Sequence, residues 1–172
     1  MAVQKTAEPR SSRTAQAAEA DEAATGPERL MAAELADEIE FLTARARSVG
    51  SGRANIALKE LDLRVRSYSV LSLACSDLNP SQRELADFLS LDPSQIVALV
   101  DELERRGAVT READPRDRRS KVIAATPEGR QLYKQAFALV RTSEEHSLGE
   151  LSLEERGQLR ALLRRIAFKS AD

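Results

Sequence analysis

The arginine-rich stretch Arg111–Val122, READPRDRRSKV, is the part of the sequence best suited to binding an anion. It holds five basic and three acidic residues, with short apolar segments before and after it. The wider segment from Arg105 to Lys121 has seven basic and three acidic residues, a local charge of +4, whereas the whole chain carries −2. Because guanidinium groups bind phosphate oxygens, this asymmetry indicates a localised anion-binding face.

The elements around this stretch predict a mainly α fold with a small two-stranded β-wing. Before it, Ser81 is a plausible helix N-cap, with Glu84 as its capping-box partner. After a tight turn, Asp92 can cap a second helix with Pro93 at its first position, and Gly107 ends that helix. The segments AVTRE and KVIAA on either side of the arginines are typical of a hairpin. This order of elements predicts a winged helix-turn-helix.

The second of these helices has one apolar and one polar face. The predicted buried positions follow the i, i+3, i+4, i+7 pattern and are Ile96, Leu99, Val100 and Leu103. The opposite face carries Ser94, Ala98, Asp101 and Arg105, with Gln95 at its edge. Its first turns are small and polar enough to enter a DNA major groove. We expect Ala98 to face DNA there, Gln95 to bond an adenine edge, and Ser94 to bond a base or phosphate. Ser81 and Gln82, at the start of the preceding helix, offer backbone N–H groups to a phosphate.

The wing is expected to place its arginines against DNA. Asp114 and Pro115 favour a tight turn, and Arg116 then lies at the tip, suited to a narrow minor groove. We expect Arg118 and Arg119 to contact phosphates or the groove floor, or to brace the wing internally. We also expect Asp117 to hold the turn through backbone N–H groups or a neighbouring arginine. The alternative is a solvated, charged turn.

These motifs resemble the MarR family of bacterial transcription regulators. The segment SQRELADFLSLDPSQIVALVDELERRGAVTREADPRDRRSKVIAATPEGRQL follows the family pattern, with Ile96 in place of Val and Ala125-Thr126 in place of Leu-Thr. The resemblance is close over Ser81–Leu132 and extends over about Leu30–Lys169 by helix order. It implies a homodimer with interlocked terminal helices and a roughly palindromic double-stranded DNA operator. We expect the protein to be a repressor rather than an activator. The resemblance also implies a pair between Asp92 and Arg119 that sets the angle of the wing.

The resemblance further implies a small-molecule effector. Many members release DNA when a small aromatic or other acid binds, and in some an arginine at the start of the wing takes its carboxylate. Arg111 is at that position, and Arg66 and Tyr68 are expected to line the same cleft. The alternative is that Arg111 braces the wing or meets phosphate. No cofactor is implied.

Other function classes have weaker support in the sequence. Cys75 would allow a redox-sensing regulator, but it lies at a helix end among apolar residues, where buried cysteine is ordinary. His146 has no companions at metal-ligand spacing, and no catalytic set is recognisable, so neither a metal site nor an enzyme is expected. A winged helix that binds a protein partner remains open; such a wing would have no need of so many arginines.

Composition and segment boundaries complete the expectations. The 172 residues include one cysteine, no run long enough to span a membrane and no secretory signal, which favours a cytoplasmic bacterial protein, nucleoid-associated when bound to DNA. Residues 1–27 are read as a disordered tail and residues 28–172 as one domain. Within it we expect dimerisation helices in 28–61 and 127–169 and the winged helix in about 64–126. VGSGR (Val49–Arg53) is expected to separate a helix over Glu28–Ser48 from a short one over Ala54–Leu61.

Overall fold

The computed structural model describes residues 26–114, 117 and 119–168. The expectations for the tail up to residue 25, for Arg116 and Arg118 at the wing tip, and for Lys169 lie outside these residues. The described part is mainly helical with a two-stranded antiparallel sheet, which confirms the predicted fold class. It forms two compact units, one ending at Ala46 and the other beginning at Arg47.

The first unit begins with tight 3-10 turns, where a longer α-helix was expected. Gly26–Ala32 and Glu34–Asp37 are 3-10 segments without buried residues, and the α-helix α1 starts at Ile39 and runs to Leu58. Helices draw most of their stability from packing an apolar face. Because none of the residues of these two segments is buried, that stabilisation is absent here.

Helix α1 continues through Gly50 and Gly52, so the expected break at VGSGR is wrong. Glycine costs about 1 kcal/mol relative to alanine inside a helix. The last turns nevertheless bury Ala54 and Leu58, the latter with no exposed surface, and this packing outweighs the propensity. A 3-10 turn, Lys59–Leu61, then leads into the next helix.

Three helices form the predicted helix-turn-helix and its support: α2 (Val65–Ala74), α3 (Gln82–Leu89) and α4 (Pro93–Arg105). The capping boxes of α3 and α4 are both present. The first amide of α2 is capped from outside the helix, because the side-chain oxygen of Asn55 in α1 accepts a hydrogen bond from the N–H of Val65 at 2.9 Å. The core between these helices and the sheet includes side chains with no exposed surface: Leu71, Leu85, Ile96, Leu103 and Ile123.

The wing is the antiparallel pair β1 (Val109–Ala113) and β2 (Lys121–Ala125), in which Arg111 lies opposite Ile123. The chain just before α3 joins the outer edge of β2. The N–H of Ile123 donates to the carbonyl oxygen of Pro80 at 2.8 Å, and Ser81 forms a bridge with Val122. The start of α3 is therefore fixed to the base of the wing.

Two helices follow the wing in the described residues: α5 (Pro127–Ser147), capped by Thr126, and α6 (Leu153–Ala167), capped by Ser152. No residue of α6 is buried in the single chain. The apolar side chains that it leaves exposed include Leu153, Leu162, Leu163 and Ile166. Within the described residues, no helix is long and apolar enough to cross a membrane.

Candidate DNA-binding site

Helix α4 presents the outward face that its sequence pattern predicts. Ile96, Val100 and Leu103 are fully buried. The residues of the opposite face are all exposed, namely Ser94, Gln95, Ala98, Asp101 and Arg105. Small side chains therefore surround the exposed N-terminal turns of α4, which is the shape that a groove-reading helix requires.

The N-terminus of α4 is closed by Asp92. Its carboxylate accepts hydrogen bonds from the N–H of Ser94 at 2.8 Å and from the Ser94 hydroxyl at 2.5 Å. These bonds hold the pKa of Asp92 below its ordinary value, and the bond from the Ser94 hydroxyl has the larger effect. The side-chain oxygen of Gln95 accepts from the N–H of Asp92 at 3.4 Å. Gln95 must release this weak bond before both ends of its amide can bind an adenine edge.

Asp92 and Arg119 do not pair in the structure, contrary to the expectation. Asp117 takes Arg119 instead: its Oδ1 accepts from the Arg119 backbone N–H at 3.0 Å and from Nε at 3.4 Å. Short carboxylates readily bind donors two residues ahead, which is what both aspartates do. Asp117 thus bonds a backbone N–H and the side chain of a neighbouring arginine within its own turn.

The base of the wing tip is closed by backbone bonds. The N–H of Asp114 donates to the carbonyl of Ser120, and the N–H of Ser120 donates to the carbonyl of Asp117, both at 2.9 Å. The side chain of Arg119 is 93% exposed. It is thus available to a phosphate at the cost of a weak local ion pair.

At the start of α3, Ser81 and Glu84 exchange hydrogen bonds. The N–H of Ser81 donates to Glu84 Oε2 at 2.7 Å, and the N–H of Glu84 donates to Ser81 Oγ at 3.2 Å. Gln82 is partly exposed, and its side-chain nitrogen is enclosed without a partner in the described part of the chain. A phosphate at the Ser81 N–H therefore competes with the Glu84 carboxylate.

Arg111 connects the wing to α4. Its Nη2 lies 2.5 Å from Asp101 Oδ1, and its Nη1 is paired with Glu104. The guanidinium side chain is 22% exposed, less than either carboxylate. The bond to Asp101, and then the charge of Glu104, raise the pKa of Arg111 above its already high value. This geometry favours the role of Arg111 in bracing the wing over a role in binding the carboxylate of an effector.

The other two candidate effector residues lie on α2 and differ from each other in exposure. Arg66 is exposed. Tyr68 is partly buried and stacks on Tyr133 of α5 with ring centroids 6.0 Å apart, and Tyr133 in turn contacts Phe137. Burial, with help from Tyr133, raises the pKa of Tyr68 to about 12. Tyr68 thus belongs to an aromatic cluster between α2 and α5, whereas Arg111 is held by α4.

Cys75 is half-buried, and burial raises the pKa of its thiol. A reactive sensor cysteine needs the opposite, a lowered pKa and a large thiolate fraction. The environment of Cys75 therefore favours the structural reading.

Two arginines that sequence reasoning missed hold the domain together. Arg106, at the end of α4, donates to the carbonyl oxygens of Asp62 at 2.6 Å and Leu61 at 2.8 Å. Arg130 of α5 donates to Asp77 at 2.7 Å and to the carbonyl of Cys75 at 3.2 Å. Neither has a signal in the sequence, because the partners are distant in the chain and three of the four are backbone carbonyls.

Comparison with known proteins decides the family. The MarR family model matches residues 64–121, which include α2, α3, α4 and β1. A crystal structure of a MarR-family transcriptional regulator from Rhodococcus sp. RHA1 is 45% identical, with a TM-score of 0.76, covering 82% of this chain and 100% of that one. The chain belongs to the MarR family. It is a DNA-binding transcriptional regulator and not an enzyme.

Two further similar proteins have been solved with bound molecules. CouR from Rhodococcus jostii RHA1, solved with p-coumaroyl-CoA, is 46% identical with a TM-score of 0.75, covering 82% of this chain and 99% of its own. The HTH-type transcriptional repressor Rv2887 of Mycobacterium tuberculosis is 28% identical over 77% of this chain and 96% of its own. Its complex with DNA matches with a TM-score of 0.62 at 25% identity, over 75% of this chain and 97% of that one; it has also been solved with salicylic acid and p-aminosalicylic acid.

Proposed function

We propose that this MarR-family regulator is a homodimeric repressor that binds a roughly palindromic operator on the bacterial nucleoid and is released by a small effector. The observation that carries the DNA-binding mode is the exposed polar face of α4 beside a wing whose base is fixed to α3. Rv2887, a repressor, has been solved with DNA, which supports the same mode here.

In this mode each candidate residue has a defined role. Ser94 and Gln95 read base edges in the major groove while Ala98 gives them room. Arg116 enters the adjacent minor groove. The groups that fix the DNA backbone are Ser81, Gln82, Arg118 and Arg119. Asp92 and Asp117 brace the two reading elements locally, through Ser94 and Arg119 respectively.

Dimerisation is supported by exposed apolar side chains at both ends of the described chain. Leu30, Ile39 and Leu42 in the first unit are 47–73% exposed, and Leu162 and Ile166 of α6 are 57% and 64% exposed. Helix α6 alone leaves Leu153, Leu162, Leu163 and Ile166 exposed, and exposed apolar patches on a soluble protein mark interaction surfaces. A second copy of the chain, placing these helices against its own, is the occupant that a two-fold operator requires.

The effector we propose is an aromatic acid or its acyl thioester. Salicylic acid and p-aminosalicylic acid are aromatic rings that carry a carboxylate, and p-coumaroyl-CoA has an aromatic ring linked through a carbon–carbon double bond to its thioester carbonyl. The cluster of Tyr68, Tyr133 and Phe137 supplies aromatic faces for such a ring, and Arg66 is an exposed cation on the same helix as Tyr68. An acid that binds at Arg111 has to displace Asp101 or Glu104.

Selection of bound sequences from a random duplex pool tests the DNA-binding mode. We expect an enriched palindrome with half-site centres about one helical turn apart, and an affinity that falls steeply with salt. The variant Arg116→Ala should weaken binding and reduce the salt dependence. If the selection gives only unrelated sequences, or if Arg116→Ala binds like the parent, the wing does not read DNA and a protein partner becomes the better reading.

Release of the selected operator tests the effector. The probes are p-coumaroyl-CoA, salicylate and, as the matched control, coenzyme A without an acyl group. We expect an aromatic acyl or carboxyl compound to release DNA and raise the melting temperature, and coenzyme A alone to do neither. Release by coenzyme A alone would contradict recognition through the aromatic group.

A further inference from the structure

We propose that Arg111 strengthens DNA binding without touching DNA. It holds and neutralises the carboxylates of Asp101 and Glu104, which α4 would otherwise direct toward the DNA. The inference rests on the proposed DNA-binding mode, because it requires the outward face of α4 to approach the duplex. It assigns to this arginine a positioning role on the recognition helix.

The two carboxylates lie where they matter for DNA. Asp101 follows Ser94 by seven residues and Ala98 by three, so it lies on the same outward face about two turns further along α4. Glu104 is three residues beyond Asp101, and both side chains are partly exposed, at 52% and 40%. Without a cation nearby, each would repel the phosphate backbone as α4 approached it.

Arg111 is built to hold both of them at once. It projects from the middle of β1, opposite the fully buried Ile123 of β2, so the strand that carries it is anchored in the core. Its two terminal nitrogens contact one carboxylate each. A forked guanidinium serves two carboxylates in fixed geometry, which a lysine ammonium does not.

The contact also spans the turn between helix and wing. Gly107, with φ of +67°, ends α4, and Arg111 reaches back over this turn to residues seven and ten positions earlier. The Arg111 side chain is partly enclosed, so its attraction to the two carboxylates is less screened by salt and water than that of a fully exposed surface ion pair. The structure thus keeps Asp101 and Glu104 directed at the wing.

The test is rescue of Arg111→Ala by removing the carboxylates. On the selected operator we expect Arg111→Ala to lose about tenfold or more in affinity, a size typical of coupled charged neighbours. Adding Asp101→Asn and Glu104→Gln to it should restore most of the loss. Arg111→Lys should show an intermediate loss, because an ammonium can neutralise only one carboxylate well.

Arg119→Ala is the matched control, since Arg119 is proposed to contact phosphate directly. It should lose affinity with or without the two carboxylate substitutions. The melting temperature of each variant shows whether it is folded. If Arg111→Ala does not fold, the same rescue by the two carboxylate substitutions is measured on Arg111→Lys. Failure of the carboxylate substitutions to rescue Arg111→Ala or Arg111→Lys would overturn the inference, whether Arg111 then contacts phosphate or only braces the wing. A parent chain that selects no operator would overturn both this inference and the proposed DNA-binding mode.

Discussion

Gly129 of α5 packs directly on the backbone of Ala108: a Cβ placed on Gly129 would lie 1.8 Å from the carbonyl oxygen of Ala108. The same carbonyl accepts a hydrogen bond from the N–H of Thr126 at 3.1 Å, and the Thr126 hydroxyl donates to the carbonyl of Gly107 at 2.6 Å. Helix α5 therefore begins on the short segment that joins α4 to the wing, and only glycine allows this approach.

The variant Gly129→Ala should destabilise the protein by about 2–3 kcal/mol, since overpacking against rigid backbone has no flexible side chain to relax. Urea unfolding followed by circular dichroism measures this loss. Gly157→Ala in α6, where a Cβ meets nothing within 4 Å, is the control and should gain about 0.5–1 kcal/mol through helix propensity. An unchanged urea midpoint for Gly129→Ala would contradict the packing.

Loss of the Arg106 side chain should destabilise the fold more than loss of its neighbour. Arg106 donates to the carbonyls of Leu61 and Asp62, so Arg106→Ala leaves both without this cationic donor. We expect a cost of about 1–2 kcal/mol, below the usual value for charge-assisted bonds because the side chain is exposed. Arg105→Ala, on the outward face of α4, is the control for stability and should lie within about 0.5 kcal/mol of the parent. Equal unfolding curves for the two variants would argue against this contact.

Alkaline pH should destabilise the protein through Tyr68. Burial raises the pKa of Tyr68 from 10.0 to about 12, so between these values the folded state keeps a proton that the unfolded state has lost. Stability should therefore fall as pH rises from 10 to 12. Tyr68→Phe should reduce this dependence and remove a late phenolate step from the absorbance titration. Tyr133→Phe is the comparison: if it alone flattened the pH dependence, the assignment to Tyr68 would be wrong.

Acid should open the N-terminal cap of α4. Bonds from Ser94 hold the pKa of Asp92 below its ordinary value of 3.8, so the carboxylate stabilises the folded state fully at pH values above that value. The contribution is lost as pH falls through the lowered folded pKa. Asp92→Asn should weaken this part of the acid dependence while retaining a capping residue. Identical acid unfolding profiles for parent and variant would assign the dependence to other carboxylates.

The sequence predicts the winged helix well because its signals are local. The capping pair Ser81 and Glu84, the cap Asp92 before Pro93, and the apolar spacing of α4 each act within a few residues. The structure contains both caps and buries Ile96, Val100 and Leu103, with Leu99 partly buried. The hairpin likewise follows from two short β-prone segments around a turn. Local capping and periodicity thus suffice to locate the helix-turn-helix and the wing.

The errors occur where distant packing decides the structure. The helix through Gly50 and Gly52 persists because Ala54 and Leu58 are buried, and no local rule reveals that burial. Asp92 is expected to reach Arg119, but each has a nearer partner: Ser94 donates to Asp92, and Asp117 accepts from Arg119. The sequence could not show which arginine near the wing contacts α4. Arg111 does so because β1 packs beside α4, and that approach is a tertiary feature.

The three-way contact among Arg111, Asp101 and Glu104 has an evolutionary consequence. One arginine forms ion pairs with two carboxylates across the turn between α4 and the wing. A relative that loses the arginine but keeps both acids would carry two unpaired negative charges on this helix. Residues in contact tend to vary together. Among relatives of this chain, neutral residues should therefore replace the two acids where the arginine is absent, and drift at any one of the three positions should constrain the other two.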